Sequence, residues 1–236
     1  MFIAILSLQG MAVLPAFATS LGPRINEGSN QSLNWSGYAV TAASGSVSGV
    51  SGSWLVPSVT CNRQQTYAAF WAGIDGFNSG TVEQAGVLAQ CSGGAAYYSA
   101  WYEFYPSPSV TISTLTVRPG DTVSVTVTDG SQPSFSTSAT VSGAARSSAE
   151  CITERPSIGG SITKLADFGV VSFGQDYTGV SSTCYATING VTGSFGSFGS
   201  SVQEITMVDN RLAVLAQPSP LSTDGSSFTV TWYRSS

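Results

Sequence analysis

Apolar and polar residues alternate through much of this chain. Over residues 121–128, Val123, Val125 and Val127 fall on one side of an extended backbone and the threonines on the other. That is the mark of a strand with one buried face. Residues 227–233 repeat it with Phe228, Val230 and Trp232, and residues 111–117 begin it with Ile112 and keep it less cleanly. Arg118-Pro119-Gly120-Asp121 and Asn189-Gly190 supply turn chemistry between such runs. Residues 193–200, rich in Gly, Ser and Phe, read as a loop. Residues 202–215 give the best helical spacing, through Ile205, Val208, Leu212 and Leu215. Many short strands separated by turn signals predict an all-β chain, an antiparallel β-sandwich. No repeat or linker interrupts residues 34–236, so one domain of that span is expected.

Composition narrows the chemistry. The 236 residues include no histidine. That removes Ser-His-Asp and Cys-His nucleophile pairs and histidine metal sites. Carboxylates and amides are left, and neither metal nor cofactor is expected. Only 9% of residues are charged, against roughly 25% in a typical domain. The 8 basic and 13 acidic residues leave −5 with no basic run, which argues against nucleic acid as a partner. With every carboxyl protonated the side chains carry at most 8 positive charges, seven Arg and Lys164. Little self-repulsion then drives unfolding in acid, so acid tolerance is expected.

Residues 2–18 are apolar and end in Ala16-Phe17-Ala18, a small-x-small cleavage pattern. Interrupted by Gln9 and Pro15, the run is too short to span a membrane. A signal peptide over residues 1–18, a short N-terminal segment over 19–33 and a secreted domain are expected, with no membrane partner. Four cysteines behind an export signal favour disulfides, in three possible connectivities. Sequential pairing, Cys61–Cys91 and Cys151–Cys184, is the expectation; each closed loop is worth roughly 3–4 kcal/mol on the chain-entropy argument.

Strand parity gathers the candidate residues. If residues 82–87 are extended, Gln84 shares a face with Val82 and Gly86, and Glu83 points the other way. The same rule groups Glu154 with Ile152 and Glu150, Glu103 with Trp101 and Tyr105, and Trp71 with Asp75. One concave face could then display Gln84, Glu154, Glu103, Trp71 and Trp101, with Gln84 and Glu154 expected on adjacent strands. Asn30-Gln31-Ser32 and Asn34-Trp35-Ser36 read as glycosylation sequons.

Seven motifs in order run through residues 34–233: Asn34-Trp-Ser-Gly-Tyr38, Gly52-Ser-Trp-Leu-Val-Pro57, Trp71-Ala-Gly-Ile-Asp-Gly76, Glu83-Gln-Ala-Gly86, Trp101-Tyr-Glu-Phe-Tyr-Pro106, Ala149-Glu-Cys-Ile-Thr-Glu154 and Ala166-Asp-Phe-Gly169. The ordered set resembles the glutamic peptidases, or eqolisins. That resemblance implies a concanavalin A-like sandwich of two large antiparallel sheets with a groove on the concave face. It also implies a secreted, monomeric acid endopeptidase acting on proteins or peptides, with Gln84 and Glu154 as catalytic dyad. Asp75 and Glu103 would support the dyad, and Trp71 would line the substrate groove. Two positions depart from the family's run. Cys151 replaces a tryptophan, and Arg155 follows Glu154, where its guanidinium would hold the carboxylate ionised to lower pH. Activity is expected only in acid, with a maximum below about pH 5, rising as Glu154 ionises. Two other readings use the same face: a glycoside hydrolase working through Glu103 and Glu154, or a carbohydrate-binding module needing only the aromatics.

Overall fold

A computed structural model describes residues 19–28, 30–129, 144–158, 161–162, 164, 166–168 and 179–235; the expected signal segment lies outside them. The strands of four or more residues are β1 (Trp35–Thr41), β2 (Val47–Leu55), β3 (Thr66–Ile74), β4 (Val82–Ser92), β5 (Ala95–Tyr105), β6 (Thr122–Thr128), β7 (Ser148–Glu154), β8 (Gly179–Ile188), β9 (Val191–Ser194), β10 (Val202–Val208), β11 (Val214–Pro218) and β12 (Ser227–Trp232). Hydrogen bonding orders one layer β5-β4-β3-β7-β1-β10 and the other β11-β12-β8-β2-β6, with β9 beside β8. The pairings among these strands are antiparallel. β10 joins the layers: Val202–Ile205 pair with β1, then Met207 and Val208 pair with β11, with a register shift between the two.

The two layers face each other as a sandwich, with β2 against β3 and β7, and β6 against β3 and β4. β3 shows how the sequence divides the chain's apolar residues. All nine of its residues are buried. Ala68, Phe70, Ala72 and Ile74 enter the core between the layers, while Tyr67, Ala69 and Trp71 belong to a second apolar cluster on the outer face. Two-sided burial is expected of a central strand and erases visible alternation. β6, at a sheet edge, keeps it: Val125 and Val127 are buried, and Thr122, Ser124, Thr126 and Thr128 are exposed.

The Asn189-Gly190 turn joins β8 to β9 with φ of 51° and 76°, the doubly left-handed backbone of a type I′ hairpin. Both disulfides form in the sequential pairing, and Cys151–Cys184 fastens β7 to β8 of the opposite layer. Two expectations are corrected. Residues 202–215 are not a helix but the hairpin β10–β11. Its turn is closed by Asp209 Oδ1, which accepts from the N–H groups of Arg211 and Ala213. The expected loop at 193–200 is the end of β9 followed by a 3₁₀ helix, Phe195–Ser201, pinned by the buried Phe195.

Gly37 on β1 has φ +146°, and a Cβ there would stand 2.2 Å from the Cys151 carbonyl oxygen on β7. No side chain can relieve a clash with backbone. Gly37→Ala is therefore expected to cost roughly 2–4 kcal/mol, the scale of strained backbone plus a displaced strand. Denaturant unfolding of the two proteins measures it.

Candidate active site

The outer face of the β5-β4-β3-β7-β1 layer carries the expected residues in rows across the strands. Glu103, Gln84, Gly73 and Glu150 stand opposite one another in the first row. Trp101, Gly86, Trp71 and Ile152 form the next, and Leu88, Ala69, Glu154 and Trp35 the one after. Parity therefore places Gln84, Glu103, Trp71 and Glu154 on one face, as read from the sequence. Adjacency does not hold. β3 runs between the strands of Gln84 and Glu154, and the two residues face Gly73 and Ala69, four positions apart along it.

Trp71 fills that interval. Its indole Nε1 donates to Glu154 Oε2 at 2.8 Å, and its ring meets Trp35 edge-on with centroids 4.9 Å apart. The room comes from two missing side chains. A Cβ on Gly73 would lie 3.0 Å from Trp71 Cζ3 and 2.9 Å from Gln84 Cβ, and one on Gly86 would lie 2.6 Å from Trp71 Cβ. Trp71 is 1% exposed, in one apolar cluster with Leu21, and its indole orients Glu154.

Gln84 is fully buried, and its Nε2 donates to Glu103 Oε2 at 2.9 Å and to the Leu21 carbonyl oxygen. Among the described residues its Oε1 is buried without a hydrogen-bond partner. Glu103 is pushed up from the usual 4.5 to about 8, because burial disfavours the ionised form more than the Gln84 and Leu21 N–H groups favour it. Glu154 is also held well above the ordinary range, first by burial and then by the charge of Glu103, against the donors Trp71, Asn34 and Trp35. Arg155 does not act as expected. It lines a surface recess with Asp209, Asn210 and Arg211 and takes its main charge contact from Asp209. Glu154 is thus raised, not lowered.

Asp75 stands at one remove from the dyad. At φ +74°, its carboxylate accepts from the N–H groups of Arg146 and Ser147 at 2.7 and 2.8 Å. It fixes the backbone that leads into β7, beside the buried Glu150, whose pKa burial raises. Asn34, read from the sequence within a sequon and the first motif but given no role, touches Glu154. Its Nδ2 faces Glu154 Oε1 at 3.5 Å and the Pro23 carbonyl at 3.1 Å, and its Oδ1 accepts from Ile25 N–H at 2.8 Å. Its place in the first motif was the available signal.

An amide and a cluster of carboxyls whose burial favours the protonated form, walled by tryptophans on a β-sandwich, define a class of site able to grip a carbonyl and deliver a proton. Residues 33–194 match the family described as the peptidase A4 family, and the chain belongs to it. Aspergillopepsin-2 of Aspergillus niger is 32% identical over 178 residues, covering 60% of this chain and 62% of that protein; the chain thus matches under two thirds of that relative's length. Among solved structures, scytalido-glutamic peptidase with a transition state analog inhibitor superposes at a TM-score of 0.68 and 23% identity, over 85% of this chain and 98% of that one. SCP-B, a member of the eqolisin family in complex with the tripeptide Ala-Ile-His, does so at 0.59 and 20%, over the same shares. These two show a shared fold.

Proposed function

We propose that the chain is an acid endopeptidase that hydrolyses peptide bonds with Gln84, Glu154 and one activated water. The observation that carries this reading is that the Gln84 amide already holds a peptide carbonyl, that of Leu21, on the face that bears Glu154. A substrate carbonyl in that position receives an N–H donor aimed at its developing negative charge. Glu154, as carboxylate, takes a proton from the attacking water and returns it to the leaving amine when the tetrahedral intermediate collapses. Gln84 Oε1, buried and unpartnered among the described residues, accepts the water's second hydrogen. No covalent intermediate is needed.

Trp71 and Asn34 hold the two oxygens of Glu154, and Glu103 holds the Gln84 amide in one orientation. Burial favours the protonated form of Glu154; water entering with the substrate lowers that desolvation cost, so the base forms where the nucleophile arrives. Glu103, protonated up to about 8, loses its proton on the alkaline side and then places a second charge near Glu154. Activity therefore belongs to the acid side of that ionisation. Four bridged cysteines support an exported chain, with residues 1–18 as its signal and residues 34–236 as the catalytic domain.

The engagement of Glu103 by the Gln84 amide argues against a glycosidase, whose two carboxyls must both face the sugar. Purified protein incubated in acid with denatured globin and, separately, with β-glucan tests the proposal. New peptide N-termini without released sugar are expected. Reducing sugar from glucan and intact globin would overturn it.

A further inference from the structure

A recess beside the dyad collects positive charge that the proposed chemistry leaves unused. Arg155 directly follows Glu154, and its N–H donates to the Asn34 carbonyl at 2.8 Å, while the Asn34 amide faces Glu154 Oε1. One residue thus ties the recess to the proposed base. Arg155 and Asp209, Asn210 and Arg211 of the β10–β11 turn line a volume of about 340 Å³. In a chain of net charge −5, three of the arginines, Arg155, Arg211 and Arg234, gather round the single carboxylate of Asp209.

Asp209 is already committed. Its Oδ1 accepts from the N–H groups of Arg211 and Ala213, and its Oδ2 pairs with the Arg234 guanidinium at 3.2 Å. With that pair neutral, the guanidinia of Arg155 and Arg211 are left over. Arg155 is 8% exposed, its Nε is buried without a hydrogen-bond partner, and among the described residues it forms no ion pair. A buried guanidinium without a partner is costly, and its planar fork matches the two oxygens of a carboxylate. Asn210 and Arg211, both exposed, add further N–H donors at the rim. The donors point to an acceptor that comes from outside the chain.

We infer that the recess is a carboxylate-binding subsite, in which Arg155 and Arg211 take an acidic side chain or the C-terminal carboxylate of a peptide bound at Glu154. That the ligand is a peptide rests on the peptidase reading; that it carries a carboxylate rests on the recess alone. The subsite gives the chain a selectivity of its own, because Arg155 is a position where it departs from the family's run. Fork-to-carboxylate pairing supplies geometric specificity as well as attraction.

Two measurements keep the subsite and the peptidase reading apart. In the full chain, isotope-labelled at arginine, the Nε–H resonance lost in Arg155→Lys marks the recess. At about pH 5, where both kinds of carboxyl are largely ionised, the chain is titrated with N-acetylglutamate α-amide, with N-acetylglycine, and with N-acetylglutamine α-amide as neutral control. A saturating shift of the Arg155 resonance is expected with an acid and not with the control; the first acid reports a side-chain source, the second a chain terminus. Arg211→Gln should weaken that binding by about tenfold. Hydrolysis is then compared for peptides of one sequence with glutamate or glutamine at each position in turn, and with free or amidated C-termini. One charged form should be cut with about tenfold higher kcat/KM than its neutral counterpart, and Arg155→Gln should bring that ratio near one. An Arg155 resonance that ignores both acids, or moves equally with the control, overturns the subsite even if peptides are cut. Carboxylate binding beside hydrolysis indifferent to peptide charge overturns its place on the substrate. Carboxylate binding with no peptide cut by any chain keeps the carboxylate site and removes the peptidase reading.

Discussion

Glu154→Gln is expected to lower peptide hydrolysis by about 10²–10⁴-fold while the protein stays folded. The change keeps the side chain's length and one oxygen to accept from Trp71 Nε1, but removes the proton acceptor and the second oxygen, which Asn34 Nδ2 faces. Loss of a positioned general base is worth that factor. Gln84→Ala should cost roughly 10²–10³-fold, the usual effect of deleting one oxyanion donor. Both changes should act mainly on kcat, since each removes an interaction that strengthens in the transition state. Glu103→Gln is a milder test: the Gln84 amide keeps an oxygen acceptor, so the loss should be smaller than either. The measurement is steady-state hydrolysis of a leucine-containing peptide in acid, with melting temperatures as control. Near-full activity of the Gln84→Ala protein beside a dead Glu103→Gln protein would replace the amide–carboxyl dyad with a carboxyl pair.

The second large effect is on stability. Glu103, Glu150 and Glu154 each ionise at higher pH in the folded chain than the usual 4.5, with burial the first cause in all three. Below about pH 4.5 both folded and unfolded chains keep these protons, and stability is whole. As pH rises the unfolded chain releases them first, so the folded state binds more protons and stability falls. The decline continues until the folded carboxyls ionise, for Glu103 near 8. Glu103 alone can account for roughly 4–5 kcal/mol at most over that window. Asp209, half-buried, and Asp224, exposed, work the other way, held low by backbone and hydroxyl donors; their contribution is lost as pH falls through their depressed range. The melting temperature should therefore peak near pH 4 and fall by about 10 °C or more by pH 8. Scanning calorimetry across that range decides it, and Glu103→Gln should flatten the decline. A melting temperature that is level or rises from pH 4 to 8 would contradict this account.

Much of this was legible in the chain because strands write their burial in alternate residues. β6 could be read directly, since one of its faces is wet. β3 could not, since Tyr67, Ala69 and Trp71 are buried on one side and Ala68, Phe70 and Ala72 on the other. The false helix over 202–215 arose because two hairpin strands around the Asp209 turn happened to space Ile205, Val208, Leu212 and Leu215 like helical turns. Parity correctly grouped Gln84 with Glu103 and Glu154 on a face, but parity is silent on lateral order, so the intervening strand went unseen. Nearness in sequence misled at Arg155, whose guanidinium turns toward Asp209. The segment at Leu21 carries no motif; its place depends on backbone groups, which are the same in every residue.

The glycines around Trp71 bear on how the sheet finds its alignment. Sliding β3 along β4 by two residues would leave every apolar side chain on its proper face. Such a slip would satisfy the hydrophobic pattern completely, and the groove would still be lost, because Glu154 and Gln84 would no longer share one tryptophan between them. What forbids it is volume. Gly86 lies beneath Trp71 and Gly73 beside Gln84, and a Cβ at either would collide with its neighbour. After a slip, the indole would meet Gln84 or Leu88 where it now finds empty space. Two hydrogen atoms in place of side chains act as the key that lets only one alignment of these strands close.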